Sequence, residues 1–270
     1  STLRKQHRPV VAVCQQSGDN RQFDTTVAPI LKHIEQRRTA VSLEQQSHLF
    51  EQVDPRFFDV LFAYEDKRFF LHHGVDPLAF GRAALQFVTH GHIVSGGSTI
   101  TMQVARLLEP RRERSLYVKL REAVRAIQLE RVLSKDEILD LYLTLAPYGG
   151  NLEGIRAASL SYFGKEPRRL TLGEAALLVA LPQSPELRRP DRFHQAAKNA
   201  RDRVLDRMAR HGMFDAAEIE RAKIEPVPHV RKKMPMIAPH AADDAMAGAQ
   251  NTREIRLTID GSLQRILEGL

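Results

Sequence analysis

The sequence has no tryptophan, one cysteine (Cys14) and only 6% aromatic residues. A single cysteine excludes an internal disulfide, so the chain must be stabilised by its buried core. With 270 residues, of which 43% are hydrophobic and 27% charged, it is long enough to form one large domain. Its content of Ala, Leu, Arg, Glu and Gln favours a mainly α fold.

Several motifs that identify enzyme classes are absent as well. A P-loop is excluded because Gly164-Lys165 is followed by Glu166, and neither G-x-G-x-x-G nor H-E-x-x-H occurs. Ser98 does not lie in a G-x-S-x-G nucleophile motif, because Ile100 occupies the last position of that motif. These absences argue against nucleotide-binding, zinc-protease and α/β-hydrolase chemistry.

No run of 18 apolar residues occurs, so no segment is predicted to span a bilayer, and no signal peptide is visible. Because the chain begins at Ser1 rather than Met, we expect that an anchor segment is missing from it. The net charge of +7 suits an anionic membrane, a phosphorylated substrate or nucleic acid. Nucleic acid is disfavoured, because the sequence shows neither stacking aromatics on a basic face nor a known binding module.

The sequence pattern divides the chain into three parts. Residues 1–52 form a polar lead-in with a short strand at residues 9–14, and residues 53–225 carry the helical pattern. Residues 226–270 form a proline-rich linker and the truncated start of a second domain, with a strand at residues 254–260. Caps and periodicity predict helices over residues 55–66, 77–90, 100–108, 115–133, 134–145, 171–182 and 191–211, and another from residue 215.

The longest predicted helix, residues 115–133, carries an apolar stripe and a charged pair. We expect the stripe to be buried; it contains Leu116, Leu120, Val124 and Ile127. Lys119 and Glu122 lie on a different side, and their spacing alone fits a surface ion pair.

The window with the most chemically active side chains is residues 64–74. Glu65 and Asp66 follow an apolar helical run there, and an acid carried into a partly apolar site can have a raised pKa. Together with Glu122, this window supplies two separated carboxylates, which is the minimum for chemistry at a sugar anomeric carbon.

Five motifs in order resemble those of the peptidoglycan glycosyltransferases, glycosyltransferase family 51. They are Glu65-Asp66-x-x-Phe69-x-x-His72-x-Gly74, Gly97-Ser98-Thr99-x-x-x-Gln103, Lys119-x-x-Glu122, Lys135-x-x-Ile138-Leu139-x-x-Tyr142-Leu143-Thr144 and Arg201-x-x-Val204-Leu205. The chain departs from the family pattern at Met102, Val118 and Thr144, where Gln, Arg and Asn are usual. Residues 257–264 resemble the entry to the transpeptidase domain of class A penicillin-binding proteins, and residues 101–106 and 146–150 look most like the 1C branch.

The resemblance implies a lysozyme-like helical lobe beside a smaller membrane-facing lobe that includes residues 80–93. It also implies that the enzyme polymerises lipid II with inversion and releases polyprenyl pyrophosphate. The site of action would be the periplasmic face of the bacterial inner membrane. By resemblance Glu65 is the general base, and Glu122 orients the pyrophosphate, the lysines or a divalent ion.

The resemblance assigns the other site residues to three roles. Cations for the phosphates are expected at Arg106, Lys119 and Lys135, while Arg201 either does the same or pins a helix. Hydrogen bonds to sugar or phosphate are expected from Ser98, Thr99 and Gln103. The substrate site around Glu65 is expected to be shaped by Asp66, Phe69, His72 and Gly74.

The implied reaction requires no cofactor, and Mg or Mn at Glu122 is compatible with it. The expected partners are lipid II, the growing glycan strand, the membrane surface and cell-wall synthesis proteins. Two alternatives stay open on the sequence: a lysozyme-like hydrolase or lytic enzyme with the same acids, and an inactive cell-wall scaffold. The lysines and the shortage of general acids favour transfer over hydrolysis.

Overall fold

The computed structural model describes residues 50–90, 97–110 and 115–233, and these ranges form a mainly α structure. The helices are α1 (Pro55–Glu65), α2 (Pro77–His90), α3 (Ile100–Leu108), α4 (Leu116–Val132), α5 (Lys135–Leu145), α6 (Ile155–Phe163), α7 (Leu172–Ala180), α8 (His194–Arg210) and α9 (Ala216–Ile224). Strands β1 (Pro147–Gly149) and β2 (Leu152–Glu153) pair antiparallel, and short 3-10 helices lie at Phe50–Gln52, Phe69–Leu71 and Leu181–Gln183. The predicted fold class is therefore confirmed for the described part of the chain.

Capping residues begin several helices where the sequence predicts. Asp54 caps α1 and Thr99 caps α3, each through its own side-chain oxygen. Ser134 and Thr171 form complete capping boxes at α5 and α7. Helix α8 begins three residues later than predicted, because the carboxylate of Asp191 is paired with a neighbouring arginine instead of capping a helix.

Helix α7 lies at the centre of the fold. Every residue of α7 except Glu174 is buried, and the helix packs against both α1 and α8. A helix that is apolar on all sides is typical of a position inside a core. Because α1 packs on α7 and α8, the helix that carries Glu65 is held against the buried centre of the described structure.

Helix α4 packs against α3 through small residues, and the predicted buried stripe on α4 is wrong. Ala123 and Ala126 are buried in a small cluster with Met102 of α3. The side chains of three predicted stripe residues are instead exposed: Leu120 (64%), Val124 (47%) and Ile127 (38%). Helical periodicity identifies an apolar face but not whether another element covers it. The side chain of Leu116 lies outside the described residues.

Other predictions also concern parts of the chain outside the described residues. They are the strands at residues 9–14 and 254–260. Among the described helices, none combines the length and apolar content needed to cross a bilayer. The division of the chain into three parts stays a prediction.

Candidate active site

Glu65 lies at the C-terminal end of α1, and both of its carboxylate oxygens accept hydrogen bonds from amides. Gln103 of α3 donates from Nε2 to Oε2 over 2.8 Å. Gln183, from the 3-10 helix after α7, donates from Nε2 to Oε1 over 2.6 Å. Two elements that are distant in sequence therefore fix the plane of one carboxylate. Gln183 belongs to none of the five sequence motifs.

The surroundings of Glu65 act on its pKa in opposite directions. Burial raises the pKa, because it disfavours the charged form of the acid. The hydrogen bonds from Gln183 and Gln103 lower it, and so do the positive charges of Arg207 and Arg106. The balance is a raised pKa, which makes the carboxylate a stronger base than an exposed glutamate while keeping it held in place.

Asp66, the neighbour of Glu65 in sequence, faces the interior. Its carboxylate lies 2.9 Å from Nε2 of His72, and it accepts the backbone N–H of Ile100 over 3.1 Å. Asp66 and His72 are 5% and 6% exposed. They join the loop after α1 to the first turn of α3. Their contacts therefore hold this loop in place, and the two side chains do not line the site.

Gly74 brings the same loop against α4. Its φ of +86° is in the left-handed region, and a Cβ there would lie 2.6 Å from backbone atoms of Ala126. Thr99 donates from Oγ1 to the carbonyl of Gly74 over 2.6 Å, so the cap of α3 also fastens this loop. Glycine is needed here because two backbones touch directly. Ala126 lies one helical turn from Glu122, so Gly74 determines how closely the loop after Glu65 approaches this part of α4.

Phe69 and Lys135 pack on each other. The Phe69 ring is 1% exposed, and Nζ of Lys135 lies 4.5 Å from its centroid. The same Nζ lies 2.6 Å from Oε1 of Glu130, which also accepts a hydrogen bond from Thr101. The charge expected to bind phosphate at Lys135 is therefore neutralised by Glu130, and the position favours a packing role.

Glu122, Lys119 and Arg106 form the second half of the site. Burial raises the pKa of Glu122, while the charge of Arg106 and then that of Lys119 lower it. Arg106 also lowers the pKa of Glu65, so its exposed guanidinium acts on both acids. The structure thus places Arg106 within electrostatic range of both Glu65 and Glu122, and Lys119 within range of Glu122.

The described residues around Glu122 do not provide a set of ligands for a metal ion. In the described ranges, no three Asp, Glu, His or Cys side chains converge. Arg106 and Lys119, whose positive charges lower the pKa of Glu122, repel a divalent ion. The chemistry derived below therefore uses side chains alone.

Arg201 lies inside the protein and joins α8 to α9. Its side chain is 1% exposed and donates to the carbonyls of Lys223 (2.6 Å) and Glu225 (2.5 Å) and to Asp202 (2.9 Å). With its donors bound inside the protein, the guanidinium is not placed to bind phosphate. Of the two roles left open by the sequence, the geometry supports the one that pins a helix.

Ser98 and a groove beside Arg106 complete the surroundings. Ser98 is half-buried directly before the cap of α3. The groove has a volume of about 420 Å³ and runs from Arg106 to the β1–β2 hairpin, where Asn151 and Glu153 lie beside Leu145 and Leu152. A groove of this size with mixed polar and apolar walls is suited to a ligand of several rings.

Comparison with known proteins places the chain in a family. Residues 30–209 match the family model described as Transglycosylase. The chain is 46% identical to penicillin-binding protein 1C of Escherichia coli K12 over 220 residues, which are 82% of this chain and 28% of that protein. It is 35% identical to penicillin-binding protein 1A of Vibrio cholerae over 227 residues, which are 80% of this chain and 28% of that protein.

A solved structure was also matched. The crystal structure of penicillin-binding protein 1A from Haemophilus influenzae matches 55% of this chain and 19% of that chain, with 25% identity and a TM-score of 0.35. The chain spans 28% of the length of each of the two relatives named above. The match to the Transglycosylase model and the identities with the two relatives show that the chain belongs to the transglycosylase family and carries the glycosyltransferase domain of class A penicillin-binding proteins.

Proposed function

We propose that this domain polymerises lipid II into glycan strands, with Glu65 as the general base. The observation that carries the proposal is the geometry of Glu65: burial raises its pKa, and two amides fix both of its oxygens. Each carboxylate oxygen has a second lone pair, so an oxygen bound by an amide can still accept a proton from a substrate hydroxyl.

The proposed step forms one bond and breaks another. The acceptor's 4-hydroxyl oxygen bonds to the donor's anomeric carbon from the side opposite the leaving group, which inverts the configuration there. The bond from this carbon to the pyrophosphate oxygen breaks, and polyprenyl pyrophosphate leaves with the bonding electrons. The hydroxyl proton passes to Glu65. Pyrophosphate is a good leaving group once its charge is neutralised, so the step needs a base and cations rather than a strong acid.

Arg106 and Lys119 are the proposed partners of the leaving pyrophosphate. Both lie close enough to Glu122 to lower its pKa, so this carboxylate positions the two cations. The groove beside Arg106 offers room for saccharide units. Lys135 is left out of this set because Glu130 already neutralises it.

A single substrate comparison separates transfer from the alternatives. Purified protein would be given fluorescent lipid II, with and without moenomycin, the inhibitor associated with this family. In parallel it would be given preformed peptidoglycan. Transfer predicts polymer from lipid II and no fragments from peptidoglycan. Release of fragments would establish a hydrolase or lytic enzyme, and inertness toward both substrates would favour a scaffold.

Replacing Arg106 by alanine is expected to lower kcat/KM for lipid II by about tenfold to hundredfold. The reason is the loss of a cation that neutralises the leaving group. Its charge also lowers the pKa of both acids, so the acidic limb of the pH–rate profile should move to higher pH. Arg131→Ala, an exposed arginine in the last turn of α4, is the control. An unchanged rate for Arg106→Ala would remove this residue from the mechanism.

We also propose that the domain works at the membrane surface, on the periplasmic face of the inner membrane. The support is the uncovered apolar face of α4, where Leu120, Val124 and Ile127 are exposed. The loop that Gly74 holds against α4 adds another exposed apolar side chain, Leu71 (79%). Apolar side chains on a basic protein suit an anionic lipid surface.

Replacing Leu120, Val124 and Ile127 together by serine is expected to weaken binding to phosphatidylglycerol-containing vesicles at least tenfold. The protein should remain folded, because these side chains are exposed. Sedimentation with vesicles at low salt measures the binding.

The chain offers a matched control with the same residue types on other surfaces. Leu187, Val230 and Ile224 are 68%, 71% and 82% exposed. Their joint replacement by serine should leave vesicle binding unchanged. Equal losses for the two triple variants would show that general hydrophobicity, rather than the α4 face, determines binding.

A further inference from the structure

Arg188 lies behind the carboxylate of Glu65, in the segment between α7 and α8, and the reaction scheme above does not use it. Its Nη1 donates to the carbonyl of Ala180, at the end of α7, over 2.7 Å. The same nitrogen donates to Oε1 of Gln183 over 3.0 Å. Gln183 in turn donates to Glu65 over 2.6 Å. The three side chains therefore form one continuous series of hydrogen bonds.

The direction of this series follows from what each group can do. A glutamine amide has an accepting oxygen and a donating nitrogen, and rotation by half a turn exchanges them. Guanidinium has only donors, so Arg188 can bond only the oxygen end of the Gln183 amide. The nitrogen end must then face Glu65, where it can donate only to the carboxylate oxygen. In the rotated state Gln183 would present its oxygen to Glu65 and favour the protonated acid instead.

We propose that Arg188 is a positioning residue that, through Gln183, keeps Glu65 in the ionised, proton-accepting form. This inference rests on the proposed role of Glu65 as the base. Arg188 itself contacts neither Glu65 nor, in this scheme, the substrate.

The electrostatics of Arg188 agree with this role. The side chain is half-buried, and burial lowers its pKa, as does the nearby positive charge of Arg203. The negative charges of Tyr64 and Glu65, when ionised, act in the opposite direction. The guanidinium of Arg188 therefore lies in the electrostatic field of the Glu65 carboxylate, and Gln183 lies between the two groups. A hydrogen bond whose donor is charged is stronger than one between neutral groups, which favours this amide orientation.

The effect of losing Arg188 should appear in pH dependence more than in binding. Without it the Gln183 amide is free to rotate, so the carboxylate loses a donor and the pKa of Glu65 rises. The base is then protonated over a wider range, and the acidic limb of the pH–rate profile moves to higher pH by about one unit. At a pH near that limb, kcat should fall about tenfold while KM changes little.

The experiment compares Arg188→Leu, Arg188→Lys, Gln183→Leu and the double variant Arg188→Leu/Gln183→Leu. Polymerisation of fluorescent lipid II would be measured across pH, and thermal unfolding would be recorded for each protein. We expect Arg188→Leu to shift the limb, and Arg188→Lys to shift it less. In the Gln183→Leu background, Arg188→Leu should cause a clearly smaller shift, because only the direct effect of its charge on Glu65 is then lost. Arg192→Leu, an exposed arginine in the same segment, should behave as wild type.

The outcomes distinguish this proposal from its alternatives. An equal shift of the limb in the presence and absence of Gln183 would overturn the proposal, as would an unshifted limb in Arg188→Leu. A lower unfolding temperature without a shift would assign Arg188 to the bond with Ala180 alone. A failure of the proposed role of Glu65 as the base would be recognised by a different result: the Glu65→Gln variant would still polymerise lipid II.

Discussion

Replacing Glu65 by glutamine is expected to lower the rate of lipid II polymerisation by roughly 10²–10⁴-fold. Glutamine has nearly the same shape as glutamate, so the contacts with Gln103 and Gln183 should be disturbed only locally. It cannot accept a proton from the attacking hydroxyl, and the two glutamines that serve Glu65 cannot do so either. A continuous polymerisation assay with fluorescent lipid II measures the rate. Wild-type polymerisation by this variant would rule out Glu65 as the base.

The stability of the Glu65→Gln variant serves as an internal check on that result. Burial raises the pKa of Glu65 above its unfolded value, so the folded protein binds this proton more tightly than the unfolded chain. The contribution of Glu65 to the free energy of unfolding therefore decreases as the pH rises through its pKa in the unfolded chain and then its pKa in the folded protein. At neutral pH the variant should unfold at the same temperature as wild type or higher. Glu166→Gln, at an exposed acid paired with Arg156, is the activity control.

Replacing Arg201 by leucine is expected to destabilise the protein by about 3 kcal/mol. The change leaves the carbonyls of Lys223 and Glu225 without their donor and removes a partner of Asp202. The contact between α8 and α9 should weaken as a result. Urea denaturation followed by circular dichroism measures the free energy of unfolding.

The matched control for Arg201 lies two residues away on the same helix. Arg203 is exposed, so Arg203→Leu should change the free energy of unfolding by less than about 0.5 kcal/mol. The phosphate-binding role predicts a different pattern for Arg201→Leu: a raised KM for lipid II with unchanged stability. That result would restore Arg201 to the substrate site and contradict the geometry described above.

The sequence predicted the helices best where short-range chemistry decides. The helices that begin after Ser134 and Thr171 could be predicted because each capping residue has a glutamate three residues later, within reach of local hydrogen bonds. The central position of α7 and the exposure of Leu120 depend instead on which elements pack together. No local pattern contains that information, so the stripe on α4 was assigned to the core.

The same limit separates the predicted from the unpredicted parts of the site. Glu65 and Glu122 were identified through motifs that place several chemical groups within a few residues. Gln183 lies 118 residues from Glu65 and belongs to none of those motifs, so only the fold reveals it. A motif likewise does not show whether a cation is available to substrate or is already paired within the protein. Lys135 and Arg201 are both paired within the protein.

The contact at Gly74 has a further consequence for the tolerance of the site. Side chains in a core can shift or change rotamer, but two backbone segments in direct contact do not have this conformational freedom. Since Gly74 contacts α4 one turn from Glu122, main-chain atoms alone set how closely the loop after Glu65 approaches this helix. Core substitutions elsewhere should therefore move side chains around the site before they change the distance between this loop and α4.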